Sequence, residues 1–234
     1  MQKADAVLQK KKDDRGINIM NDEIIIEVNE VFKKYDDATV LDNVSLEIEK
    51  GKIYGLVGRN GSGKTVLMKC ICGLIKPTSG EVKVDGKTVG KDVDIPEDIG
   101  VIIETPGFIP NYSGFKNLKL LASVRNKISN EEIRKSMEIV GLDPKSRKHV
   151  GKYSLGMRQK LGIAQAIMEK PKILILDEPM NGLDNESVAV VRKILKEQAE
   201  NGATIILASH NREDIDVLCD KVYTMDHGVI ECER

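Results

Sequence analysis

The chain has 234 residues, 41% hydrophobic and 31% charged, with 36 basic side chains against 37 acidic for a formal net charge of −1. That length accommodates one large domain, or a core with one inserted subdomain, and enough apolar residue to bury it. Balanced charge argues against a protein held on nucleic acid by bulk electrostatics, and apolar runs of about five residues fall far short of the about 20 that span a bilayer.

Residues 1–22 carry five basic and four acidic side chains without periodicity and read as a mobile charged tail, with Met20 as an alternative start. No apolar leader precedes it, which makes the cytoplasm the default compartment. Alternation at Ile24, Ile26 and Val28, at Val44, Leu46 and Ile48, and at Val82 and Val84 before an Asp85-Gly86 turn predicts an antiparallel sheet. Four short runs, 53–57, 99–103, 173–176 and 204–208, are apolar or small nearly throughout, as parallel strands covered on both faces are. Helical patterns lie between them. One starts near Lys64 and closes at Leu74–Pro77; another spans Glu186–Ala199, turns Val188, Val191 and Leu195 inward and stops at Asn201-Gly202. This alternation predicts an α/β fold with a doubly wound parallel sheet.

Between Tyr112 and Lys170 the strand-like runs vanish, and three helical patterns predict a helical subdomain inserted at about 112–170. One of them opens with a capping box from Ser129 to Glu132, presents Ile133, Met137 and Val140, and ends at Gly141. The cysteines, Cys70, Cys72, Cys219 and Cys232, form no CxxC pair and have no histidine at metal-ligand spacing. They read as small apolar residues in a reducing compartment.

The chemistry gathers at the ends of the four apolar runs. Gly58-Arg59-Asn60-Gly61-Ser62-Gly63-Lys64-Thr65 matches G-x-x-x-x-G-K-[ST] after a strand and at the start of a helix. In such a loop successive backbone N–H groups turn inward around phosphate oxygens, and the helix N-terminus adds partial positive charge. Lys64 then reaches the β- and γ-phosphates and Thr65 ligates Mg²⁺. The third run ends in Asp177-Glu178, which on their own could be helix-capping acids before Pro179. Beside a phosphate loop, Asp177 suits the Mg²⁺ shell and Glu178 suits a base for water attacking the γ-phosphate. His210 ends the fourth run and Glu104 follows the second, so four strands point these groups at one rim. That convergence predicts a nucleoside triphosphatase.

Tyr153-Ser154-Leu155-Gly156-Met157-Arg158-Gln159 precedes a helical pattern running to about Met168. Ser154 is a natural N-cap there. The segment also resembles the signature of ABC ATPases, usually Leu-Ser-Gly-Gly-Gln, keeping Ser154 and Gly156 and departing at Leu155 and Met157. The resemblance covers the chain from about Glu23 onward, as one ABC ATPase domain over 23–234. It implies a P-loop NTPase (RecA-like) core with a parallel sheet, an N-terminal antiparallel β subdomain and the helical insertion. By the same likeness Tyr35 stacks on adenine, Asn181-Gly182-Leu183-Asp184 is the loop contributed at the dimer seam, and His210 is the switch histidine. The implied activity is ATP hydrolysis with Mg²⁺ held by Thr65, Asp177 and Glu104. The implied partners are a second, identical ATPase subunit closing head to tail and a separate transmembrane permease, with no nucleic acid. Ser154 and Gly156 of one chain then cap the γ-phosphate held by Lys64 of the other, on the cytoplasmic face of the membrane.

Most ABC ATPases have glutamine where this chain has Glu104. Ile103-Glu104-Thr105-Pro106-Gly107-Phe108, followed by Asn111-Tyr112-Ser113-Gly114, resembles the subgroup that exports bacitracin and lantibiotic-type peptides. The implied cargo is a peptide antibiotic or a similar amphiphile. The rival classes are soluble ABC ATPases of DNA repair or translation, and importer ATPases. Against the first, only 90 residues run from Lys64 to Ser154, without heptads or CxxC, and the chain has one phosphate loop. Against the importers, 24 residues follow His210, short of an appended regulatory domain. Glu178 and His210 together argue against a binding-only role.

Overall fold

The computed structural model describes residues 23–233; the charged segment read as a tail lies outside them. In chain order the elements are β1 (Ile24–Tyr35), β2 (Ala38–Glu49), β3 (Ile53–Val57), α1 (Lys64–Ile71), β4 (Ser79–Val84), β5 (Lys87–Thr88) and β6 (Ile99–Ile102). Then come α2 (Gly114–Arg125), α3 (Asn130–Ile139), α4 (Leu155–Ile167), β7 (Ile173–Asp177), α5 (Asn185–Glu200), β8 (Thr204–Ala208), α6 (Arg212–Leu218), β9 (Lys221–Asp226) and β10 (Val229–Cys232).

Two sheets result. The first, antiparallel, has the order β2-β1-β4-β5; the second has the order β10-β9-β3-β8-β7-β6, parallel except for the β9–β10 hairpin. The apolar runs become its central strands because their alternate side chains have different destinations. Ile205 and Leu207 join the core shared with the helical insertion, while Ile206 and Ala208 join the core shared with α1 and the antiparallel sheet. Each large side chain so buried contributes about 1.5–3 kcal/mol before entropy is counted. α1 sends Leu67, Met68 and Ile71 into the second core, which fixes the helix that follows the phosphate loop against both sheets.

Four expectations need correction. β9 and β10 have no counterpart among the predicted strands, because Lys221, Thr224, Glu231 and their neighbours interrupt the apolar pattern at a sheet margin. Between them His227 and Gly228 both take positive φ, 45° and 81°, as a two-residue hairpin loop requires. α1 closes at Ile71 and leaves Leu74 exposed, and α5 buries Ser187, Val191, Ile194 and Leu195, with Val188 only packed against the core. Cys70 and Cys72 are buried, their thiols raised by burial to about 11 and about 12, but Cys219 is half-buried and Cys232 lies exposed on β10. Between β6 and β7 lie α2, α3 and α4, and Ser129 and Glu132 form both bonds of the capping box.

Glu49 fastens the sheets together. Its carboxylate, at the end of β2, accepts from Lys221 Nζ on β9 at 2.6 Å and also pairs with Lys52. These bonds pull its pKa from 4.5 down to about 2. The folded state therefore gains stability from the ionised carboxylate above about pH 4.5 and loses it as pH falls towards about 2. Glu49→Gln should lower Tm at neutral pH, and thermal melts across pH should show the gap to wild type closing within that window. A gap independent of pH would mean that the charge is not what matters.

Candidate functional site

The segments after β3 and β6 and the carboxyl end of β7 converge on a cavity of about 470 Å³, with β8 between β3 and β7 in the sheet. Its floor is the phosphate loop. Gly58 adopts φ 155°, and a Cβ there would stand 2.1 Å from Met225 O of β9. At Gly63, φ is 109° and a Cβ would meet Val40 O at 2.8 Å. Only glycine lets the loop seat this closely against β2 and the β9–β10 hairpin. Gly63 is also the N-cap of α1, which begins without a side-chain cap. The N–H groups of its first turn are therefore presented to the cavity, an arrangement that receives anions.

Lys64 Nζ donates to Gly58 O at 2.7 Å and Arg59 O at 3.0 Å, with Ser62 Oγ at 3.4 Å. The loop's own carbonyls thus hold the ammonium over its centre. Burial pushes the pKa of Lys64 below the usual lysine range, and Asp177 and Glu178 oppose that shift. Thr65 Oγ1 donates to Asp177 Oδ2 at 2.6 Å, joining the start of α1 to the end of β7. Glu178 follows with φ 50°, a left-handed conformation uncommon outside glycine, and its N–H donates to Ala208 O at 2.9 Å. This kink aims the side chain across β8, where Oε2 lies 2.7 Å from His210 Nδ1. An ionised carboxylate only accepts, so Nδ1 is the protonated ring nitrogen of that pair.

Asn60, Gly61, Ser62, Gly63, Lys64, Thr65, Glu104, Asp177 and Glu178 all line the cavity. Gly58 and Arg59 support it from beneath through their carbonyls, and His210 reaches it through Glu178. Glu104 takes φ 60° and forms a 2.5 Å ion pair with Lys69 of α1. Tyr35, at the end of β1, lies outside the lining with Lys33 Nζ 4.8 Å over its ring, and Val40 lines the cavity instead. Ser154 is exposed, caps α4 by accepting from Met157 N at 3.2 Å, and also stands outside the chain's own cavity. Gly156 packs beside Gly182 O. The Asp184 carboxylate is occupied as the N-cap of α5, accepting from Ser187 N at 2.8 Å. The Ser187 hydroxyl first, and then this N–H, draw its pKa down, and Asn181 of the same loop lines the cavity.

Two supporting groups escaped the sequence reading. Buried Gln159 on α4 donates to Glu178 O at 3.2 Å and Pro179 O at 2.9 Å, pinning the backbone that aims Glu178. Asp214 on α6, only 2% exposed, accepts from Ser209 Oγ at 3.1 Å and from Arg192 Nη2 at 2.6 Å, bracing the turn that carries His210. Between Arg158 and Lys160, nothing local marks Gln159 as the buried member of a polar run. For the second, nothing local marks Asp214 as buried.

The model of the family described as ABC transporter matches residues 41–181. The uncharacterised ABC transporter ATP-binding protein YybJ of Bacillus subtilis is 48% identical over 88% of this chain and 95% of its own length. The bacitracin transport ATP-binding protein BcrA of Enterococcus faecalis is 43% identical over 88% of this chain and 68% of its own. Among solved structures, the dimeric post-hydrolysis state of the ATP-binding cassette MJ0796 bound to ADP and phosphate superposes with a TM-score of 0.80. It shares 22% identity, covering 90% of this chain and 99% of that one.

Proposed function

Because the chain belongs to the ABC transporter family as an ATP-binding subunit, an ATPase coupled to transport, we propose that it powers export of a peptide antibiotic or similar amphiphile. The observation that carries the hydrolytic part is the pairing of Glu178 with His210 at 2.7 Å on the rim that also holds the phosphate loop. Lys64 and the α1 N-terminus bind the β- and γ-phosphates, Glu178 accepts the proton of a water attacking the γ-phosphorus, and His210 fixes the orientation of that carboxylate. Mg²⁺ suits the residues present. Thr65 and Asp177 offer hard oxygen donors 2.6 Å apart. That matches an ion which takes one or two protein oxygens and completes its shell with phosphate and water. When bound, it neutralises charge on the phosphates.

Ser154, exposed at a helix N-terminus and not part of the lining of its own cavity, serves the nucleotide of a second copy closing head to tail. No helix among the described residues is long and apolar enough to cross a membrane. By family membership, a separate permease supplies the pathway and holds the subunit at the cytoplasmic face. Its cytoplasmic helices dock in a groove of about 350 Å³ between β6 and the insertion, where Leu74, Ile95 and Leu121 are exposed. The groove includes Thr105 and Pro106, directly after Glu104. Similarity to a bacitracin transport ATP-binding protein supports the cargo class.

The test is resistance in cells expressing the chain with its permease. Wild type should raise the inhibitory concentration of bacitracin or a lanthionine peptide at least severalfold, and Glu178→Gln should not. An active ATPase complex that leaves all such inhibitory concentrations unchanged would overturn the cargo assignment.

A further inference from the structure

Three carboxylates, Glu104, Asp177 and Glu178, line a cavity whose lining has a single ammonium, Lys64. A triphosphate entering it brings further negative charge, and unpaired acids at that distance oppose its binding. Asp177 is bonded to the hydroxyl of Thr65 and Glu178 to His210. Glu104 alone of the three has a lysine within ion-pair distance: Lys69 Nζ, 2.5 Å from Oε1, outside the cavity lining.

Fold stability does not account for this pair. Glu104 is 65% exposed, and pairs of that exposure contribute little. The two partners differ in what holds them. Lys69 stands on α1, the helix that starts at the phosphate loop and is packed into the core through Leu67, Met68 and Ile71. Glu104 follows a strand, has φ 60°, and precedes Thr105, Pro106 and Gly107. The helix therefore sets where the carboxylate stands.

We propose that Lys69 is a positioning residue for nucleotide binding: it holds and neutralises Glu104, so that a triphosphate can enter before any metal is in place. The inference rests on the ATPase reading above and adds to it a device specific to a chain with glutamate at this position. A neutral glutamine would need no such partner. The pair also joins the phosphate-loop helix to the segment leading into the groove assigned to the permease, giving the two a direct charge-assisted link.

The experiment measures equilibrium binding of ATP to the full chain by titration calorimetry, once in EDTA and once with Mg²⁺. Thermal melts confirm that each variant is folded. Lys69→Met should weaken metal-free ATP binding on the order of tenfold, and weaken it less with Mg²⁺, which supplies the missing positive charge. Lys69→Arg should bind as wild type does. In the Glu104→Gln background Lys69→Met should cost nothing further, because no carboxylate remains to neutralise. The proposal fails if Lys69→Met binds metal-free ATP as wild type does, or if its loss persists undiminished beside Glu104→Gln. A wild-type chain that binds no ATP would instead overturn the reading on which it rests.

Discussion

Glu178→Gln lowers the ATP turnover of the assembled transporter by about a hundredfold or more, with nucleotide affinity unchanged. The amide keeps the shape of the side chain and can still bond to His210, whose Nδ1 lies 2.7 Å from Oε2. It cannot accept the proton of the attacking water, and losing a positioned base costs about 10²–10⁴ in rate. The phosphate clamp of Lys64, the loop amides and Thr65 remains whole, so ATP should bind and persist. Single-turnover kinetics separate the two effects, and size-exclusion chromatography with the permease should show an ATP-locked dimer. Hydrolysis at the wild-type rate would remove Glu178 from the mechanism.

Ser154→Arg abolishes hydrolysis while ATP binds the isolated subunit almost normally. Ser154 is exposed and does not line its own cavity, although Leu155 beside it does, so its loss should be felt chiefly where two copies meet around one nucleotide. Arginine also removes the N-cap bond to Met157 N, at a cost of about 1 kcal/mol to α4. Ser154→Asp separates the causes: it keeps a capping oxygen but sets a negative charge against the partner's γ-phosphate, and it too should be inactive. The measurements are steady-state ATPase rate and monomer affinity for both variants. If monomer affinity collapses, or if Ser154→Asp turns over normally, the composite site is wrong.

What was legible in the sequence had a local signature. The limits of β3 and β8 could be read to the residue because both are apolar or small from end to end and abut turn or motif residues. The phosphate loop could be read because its glycines answer backbone demands made at those very positions. β9 and β10 were missed because strands at a sheet margin tolerate polar side chains, which erases the period. The electrostatics were the least readable. Lys69 and Glu104 stand 35 residues apart, Gln159 and Pro179 stand 20 apart, and Arg192 and Asp214 stand 22 apart. Charge in the sequence places no limit on which acid meets which base; only the packed helices do. A sequence argument alone leaves Mg²⁺ to screen Glu104 from the other carboxylates, whereas in the fold a lysine on α1 is already beside it.

The hairpin closing the core sheet gives the phosphate loop a dependence on the order of synthesis. Gly228 N donates to Ser62 O at 3.0 Å, Asp42 N donates to Gly228 O at 2.9 Å, and β3, which delivers the loop, pairs only with β8 and β9. The nucleotide-binding sequence therefore leaves the ribosome long before the strands that flank it. Until residues 204–228 follow, β3 has unpaired edges and the loop has only its β2 wall, without the one the β9–β10 hairpin supplies. Such remote pairing slows folding and leaves apolar strands open to other chains meanwhile. A nascent chain halted before β8 should hold no nucleotide, though its entire phosphate-binding motif has been translated.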